Sequence, residues 1–201
     1  MPVEQGRMLL EIDNDIPSPD QPTNTFVAIR PPWPVAQQVY SGATQLCSQA
    51  GIAGSRRPSS ILHMTVLPIG RYGGRLPRKL LKQIDCAVSM VRLPAIEIML
   101  NEAGSFETRK RHVPFVLEGS ELAEVCGLRL AIHAALRVKG LNVPAPKAYA
   151  PHMTLAYASQ RSPRRKVEPF IWQAREFQLI ESWVGQTKYI ELGRWALNHG
   201  V

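Results

Sequence analysis

The chain has 201 residues, with 24 Lys and Arg against 16 Asp and Glu, for a formal net charge of +8. That length suits one domain or two small, closely packed lobes. With 45% hydrophobic and 20% charged residues it is a core-forming chain, not a disordered polyelectrolyte. No apolar run approaches the roughly 18 residues that cross a bilayer, which excludes a helical membrane protein. The N-terminus lacks the basic patch and long apolar stretch of a secretory signal. Cys47, Cys86 and Cys126 have no CxxC spacing and make neither a disulfide framework nor a zinc site. A cytoplasmic protein without a membrane partner is expected. The positive balance favours an anionic partner, phosphate first.

Residues 1–23 read as a flexible tail, because Glu11, Asp13, Asp15 and Asp20 alternate with Pro17, Pro19 and Pro22. The folded part, residues 24–201, opens on a strand at Thr25–Ile29, stopped by Pro31, Pro32 and Pro34. A helix follows over Val35–Ala50, with Val39, Ala43 and Leu46 at helical spacing and Gly51 as its stop. Ile61–Leu67 is a second strand, closed by Pro68 and Gly70, and Arg78–Val91 a helix with Leu81, Ile84 and Val88 turned inward. Ala95–Leu100 and Val113–Leu117 are strands separated by a charged turn, Glu107 to Arg111. Glu121–Lys139 is the strongest helical pattern, with Leu122, Val125, Leu128, Ile132, Ala135 and Leu136 on one face and Gly140 at the C′ position. His152–Tyr157, Phe170–Trp183 and Lys188–Leu192 complete the strands, and the basic stretch Ser159–Lys166 reads as a solvated turn.

Two of these strands match. Leu62-His63-Met64-Thr65-Val66 and Pro151-His152-Met153-Thr154-Leu155 both carry His-Met-Thr-aliphatic. Side chains alternate along a strand, so His63 and Thr65 share one face, His152 and Thr154 another, and the aliphatic residues take the backs. One His-x-Thr is within reach of chance and is most simply a core histidine; two in matching apolar strands are not. A metal site would need carboxylates or further histidines at ligand spacing, which are missing nearby. A nucleophilic enzyme would need a Ser or Cys with a base, and no GxSxG or Cys–His pattern occurs. Acid–base phosphoryl chemistry needs no further parts, neither metal nor other cofactor. One imidazole removes a proton from the attacking oxygen while the other, protonated, donates to the leaving one. Thr65 and Thr154 would hydrogen-bond the non-bridging oxygens.

These strands resemble the paired motifs of the two-histidine (2H) phosphoesterases, in particular the RNA 2′,3′-cyclic phosphodiesterase, or 2′-5′ RNA ligase, branch. The likeness extends to Phe26-Val27-Ala28-Ile29, to Ile96–Leu117, to Tyr149-Ala150-Pro151-His152, and to Lys188-Tyr189 through Leu197, covering residues 25–197. It implies an α+β fold of two lobes: pseudo-two-fold antiparallel sheets with helices packed outside and a central cleft to which each lobe gives one motif. It also implies a monomer that opens the 2′,3′-cyclic phosphate ends of RNA or of nucleotides to 2′-phosphates, with weak 2′-5′ ligation and no DNA substrate. In that scheme His63 is the acid on the leaving 3′ oxygen, His152 the base on water, and Thr65 and Thr154 hold the phosphate.

Two positions depart from the family pattern. Many members carry an aromatic residue five after the first histidine and an arginine five after the second; this chain has Pro68 and Tyr157. Tyr157 is a candidate substrate contact through its ring or hydroxyl, although strand parity points it away from His152 unless the strand bends. Among the basic residues, Arg71, Arg75 and Arg161 follow the motifs and are the first candidates to rim the cleft, ahead of Arg56-Arg57, Arg78-Lys79 and Arg109 to Arg111. An RNA-binding module of the same fold without efficient catalysis is the alternative.

Overall fold

The computed structural model describes residues 20–106, 111–120, 122–144 and 149–197. Residues 1–19 of the expected tail, the charged turn at 107–110, and Glu121 lie outside that set. Among the described residues nine strands and three helices follow in the order β1 (Pro22–Ile29), α1 (Trp33–Gln49), β2 (Ser55–Arg56), β3 (Met64–Gly73), α2 (Arg78–Val88), β4 (Ile96–Ser105), β5 (Val113–Glu118), α3 (Ala123–Val138), β6 (His152–Ala158), β7 (Arg165–Ala174), β8 (Glu176–Trp183) and β9 (Lys188–Ala196). A 3₁₀ turn at Ser59–Ile61 precedes β3. Among the described residues no helix is long and apolar enough to cross a membrane.

All strand pairs are antiparallel, in the order β7-β4-β5-β6-β3-β1-β8-β9, with β2 added on β6. The sheet is two four-stranded wings that meet where β3 touches β6, and the assigned contact there is one residue pair, Met64↔Met153. The wings are built alike. A strand, a helix and a His-Met-Thr strand follow one another as β1-α1-β3 and as β5-α3-β6, and in both the first and last are neighbours. Each histidine comes fourteen residues after its helix ends, from Gln49 to His63 and from Val138 to His152. The expected lobes are therefore present, merged into one continuous sheet.

Helix packing ties the wings together. Helix α1, which belongs to the β1 wing, packs on β6 and β7 of the other; α3, from the β5 wing, packs on β3 and α2. The apolar stripes read from the sequence face this shared back side: Val39 and Ala43 of α1, Leu81, Ile84 and Val88 of α2, and Val125, Leu128, Ile132 and Leu136 of α3 are buried in one cluster. Gly140 at φ +75° closes α3, in a conformation that costs a side-chain-bearing residue strain. The opposite face has only a small apolar cluster of Phe26, Ala28 and Ile180, with Tyr189 packed on it. His63 packs on that open face, against Phe26 and Tyr189.

Several elements differ from the sequence reading, three of them in ways that shape the sheet. Strand β1 starts at Pro22, inside the stretch read as tail, because proline is tolerated at the first position of a strand. Strand β3 does not stop at Pro68 but runs to Gly73. Its register against β1 slips on both sides of Pro68, and a residue without an N–H fits where the ladder is already interrupted. The single strand expected over Phe170–Trp183 is two, separated by Arg175. Strand β7 pairs β4 at one edge of the sheet and begins at Arg165, within the expected basic turn, while β8 pairs β1 in the other wing. One connecting residue cannot span a flat sheet, so the sheet curls until these strand ends meet.

Candidate functional site

The Met64↔Met153 pairing sets the geometry of the site. Continued one residue each way, an antiparallel register puts His63 across from Thr154 and Thr65 across from His152. The histidines are then diagonal neighbours across the junction of the two strands. All four side chains are half-buried on the open face. The structure thus brings together the four residues singled out by the doubled motif.

Each imidazole is held the same way. His63 Nδ1 lies 2.9 Å from the carbonyl oxygen of Ile61, and His152 Nδ1 lies 2.9 Å from that of Ala150. A carbonyl only accepts, so Nδ1 carries the hydrogen in the neutral ring and Nε2 keeps its lone pair for the cleft. Burial holds the His63 imidazole down at about 4; the Ile61 bond opposes this, and the charges of Arg57, Arg30 and His152 add to it. His152 is also held below its ordinary value by burial, against the pull of the Ala150 bond. The effect of one imidazole on the other places them in one electrostatic site.

A matching bulge follows each threonine. Val27 pairs Leu67 and Ala28 pairs Thr65, which leaves Val66 as an extra residue; Phe115 pairs Ala156 and Val116 pairs Thr154, which leaves Leu155. Each extra residue reverses the alternation. Behind both threonines two consecutive residues are buried, and Pro68 and Tyr157 then return to the open face, both exposed. This is the bend that Tyr157 required. The two positions that depart from the family pattern therefore both border the cleft.

The surroundings of the two histidines differ. His63 stacks on Phe26 at 4.9 Å between ring centroids and meets the edge of Tyr189 at 5.4 Å. Arg57 donates from Nη2 to the Tyr189 hydroxyl at 2.7 Å, and Arg30 donates to the carbonyl of Ser60. His152 meets Phe106 edge-on at 4.5 Å and pairs across the ladder with Glu118. Arg164 holds Glu118 at 2.9 Å, and Lys166 pairs with Glu102, next to Glu118 on β4. Tyr149 joins the wings by donating its hydroxyl to the carbonyl of Thr65 at 2.7 Å. Among the described residues no three of His, Cys, Asp and Glu are grouped so as to hold a metal ion.

The basic residues are arranged otherwise than the sequence suggested. Arg71 pairs with Asn24 toward the far end of β3 and is exposed. Arg75 faces the buried carboxylate of Glu181 at 3.6 Å, and Arg161 lies in the loop beside Phe106. The cations felt at His63 are Arg57 and Arg30. Arg30 directly follows β1, one step past the Ile29↔Met64 pair, and the apolar run before it did not advertise a cation at His63. Arg57 reaches the site because β2 lies on β6, and a two-residue strand leaves no periodic pattern to read.

The model of the 2′-5′ RNA ligase superfamily matches residues 31–188. Among solved structures, Escherichia coli LigT in its apo form is 21% identical at a TM-score of 0.68, over 89% of this chain and 99% of that one. A phosphoesterase is 22% identical at 0.67, over 88% and 99%, and TT0787 of Thermus thermophilus is 22% identical at 0.64, over 89% and 100%. These likenesses establish a common fold. LigT has also been solved with phosphate and with 3′-AMP. No curated protein sequence matches the chain.

Proposed function

The chain belongs to the 2′-5′ RNA ligase superfamily of 2H phosphoesterases, and on that premise we propose that it is a 2′,3′-cyclic phosphodiesterase acting on RNA ends or nucleotides. The observation that carries this reading is the pair of His-Met-Thr strands meeting at Met64↔Met153, each imidazole anchored at Nδ1 with Nε2 left to exchange a proton. A cyclic phosphate lying between them has an imidazole on either side and a threonine hydroxyl beside each.

The reaction uses water and leaves no covalent intermediate. His152 takes a proton as the water oxygen bonds to phosphorus, and His63 donates a proton to O3′ as the P–O3′ bond breaks. The products are a 2′-phosphate and a free 3′-hydroxyl. Thr65 and Thr154 donate to the non-bridging oxygens, which gain charge in the transition state. With a 5′-hydroxyl in place of water the same steps give a 2′-5′ linkage. His63 rests neutral in the free protein, so its acid form arises when the anionic phosphate arrives, the direction in which an adjacent negative charge moves an imidazole. Tyr157 and Arg71, on the open face beyond the motifs, are proposed contacts for the nucleoside and the chain attached to the phosphate.

The test is incubation with 2′,3′-cyclic AMP in excess chelator, with the product isomer identified. Release of 2′-AMP is expected. Formation of 3′-AMP, or a strict requirement for added metal, contradicts the mechanism. Salt-sensitive RNA binding without turnover would favour a binding module instead.

A further inference from the structure

The phosphate invoked above carries a negative charge that two threonine hydroxyls do not neutralise. The structure sets two guanidiniums, Arg30 and Arg57, beside His63, and Arg57 is the one tied to both motifs. Arg57 follows β2, whose Ser55 and Arg56 pair with Tyr157 and Ala156 of β6, and its backbone N–H donates to the carbonyl of Leu155 at 2.7 Å. Leu155 is the bulge residue next to Thr154, so the Arg57 backbone is pinned to the second motif. Strand β2 approaches so closely that a Cβ on Gly54 would stand 2.1 Å from the Tyr157 carbonyl oxygen. The Arg57 side chain meanwhile points toward the first motif. Its guanidinium donates to Tyr189 Oη at 2.7 Å and lies 5.6 Å from the centre of that ring, which in turn touches His63.

Arg57 is therefore anchored on the His152 strand and delivers its charge beside His63. It is half-buried, and among the described residues no carboxylate pairs with it. Arg75, Arg164, Lys166 and Arg194, by contrast, are all matched to glutamates. A guanidinium held by a neutral phenol keeps donors for a second partner, and its planar fork suits two phosphate oxygens.

We propose that Arg57 binds the non-bridging oxygens of a phosphate ester in the cleft, and that Tyr189 is its positioning residue. The ligand class is a monoanionic phosphodiester or a terminal phosphate; the proposal takes its phosphate from the function proposed above, but binding can be measured without turnover. The Arg57 charge also disfavours a proton on His63 in the empty site, and a phosphate that covers the guanidinium lifts that penalty. Arg57 would thus couple substrate arrival to the proton that His63 must gain.

The experiment titrates wild type, Arg57→Gln and Arg57→Lys with inorganic phosphate and with 2′-AMP while following the histidine ring resonances, alongside turnover of 2′,3′-cyclic AMP. Arg57→Gln should bind both ligands at least about tenfold more weakly and lose about 10²-fold in kcat/KM, with Arg57→Lys between it and wild type. The His63 imidazole should titrate higher in Arg57→Gln than in wild type. Added guanidinium ion should restore part of the turnover of Arg57→Ala, which a purely structural role would not allow. Tyr189→Phe should lower kcat/KM severalfold while leaving the charge in place, and Lys82→Gln on the exposed face of α2 should change nothing.

Wild-type phosphate affinity and an unshifted His63 titration in a folded Arg57→Gln protein overturn the proposal. If Arg57→Gln fails to fold, the lysine variant and the guanidinium rescue decide it, and absence of both effects is equally fatal. A wild type that binds phosphate through Arg57 yet opens no cyclic phosphate would refute the proposed function and leave this inference standing. Full turnover by Arg57→Gln would do the reverse.

Discussion

The two wings share one plan and differ in what surrounds it. Both set a histidine fourteen residues past a helix, hold its Nδ1 on the carbonyl two residues back, and place a bulge after the threonine. Around His63, however, stand Phe26, Tyr189, Arg30 and Arg57; around His152 stand Phe106 and the Glu118 and Glu102 carboxylates, held by Arg164 and Lys166. In the function proposed above, the shared plan supplies two proton carriers. On that proposal the difference supplies direction, because an anion would be drawn toward the cations beside His63 and leave His152 to face the attacking oxygen.

The strongest way to break this comparison is to remove one proton carrier at a time. His63→Ala and His152→Ala should each lower kcat by about 10²–10⁴-fold, and the double variant should be little worse than either single one, since half a relay does no work. Retention of activity by either single variant would show that the repeated wing is architecture and not chemistry. Thermal melts of the variants separate that result from loss of the fold.

The pH profile sharpens the same comparison at the level of about tenfold per unit. On the proposed mechanism the working form has one imidazole protonated and one neutral. Burial holds both below the ordinary 6.5, and His63 down at about 4. The maximum of kcat/KM should therefore lie on the acid side of 6.5 and fall as pH rises through 7 and 8. For stability the sign is opposite. A histidine whose folded value is depressed leaves the unfolded chain with more bound protons between 6.5 and about 4, so the fold loses stability as pH drops through that window. An alkaline optimum for kcat/KM would mean that a group other than these imidazoles donates the proton.

What the sequence revealed follows from periodicity. The helix stripes, the Gly140 stop and the shared face of His63 with Thr65 and of His152 with Thr154 are local patterns, and each has its counterpart in the structure. Bulges are not periodic. Val66 and Leu155 look like ordinary strand residues, yet they return Pro68 and Tyr157 to the open face, so simple alternation pointed Tyr157 the wrong way. The corner at Arg175 was illegible for a related reason, since apolar residues on both sides of it read as one strand although they belong to different wings. Charge by itself also misdirected: position after the motifs favours Arg75, which is spent on Glu181, whereas Arg57 precedes the first motif and arrives through a two-residue pairing with β6.

The smallest effect expected comes from the bond that holds the wings in register. Beyond Met64↔Met153 the two motif strands have no assigned ladder pairs, and Tyr149 bridges them by donating to the Thr65 carbonyl at 2.7 Å. Burial pushes the phenol above its usual range, so it stays a donor across the whole working pH. Arg129, from α3, lies 4.6 Å from the centre of the Tyr149 ring, which fixes the ring from its other side. Tyr149→Phe keeps the ring and that contact but leaves a backbone carbonyl one hydrogen bond short, worth about 1 kcal/mol. The melting temperature should fall by about 2–4 °C. The more telling readout is the division between kcat and KM. If the bond only stabilises, both stay put; if it keeps Thr65 and His63 opposed to His152 and Thr154, kcat falls severalfold with little change in KM, because the phosphate still binds the cations beside His63 while the proton carriers lose alignment.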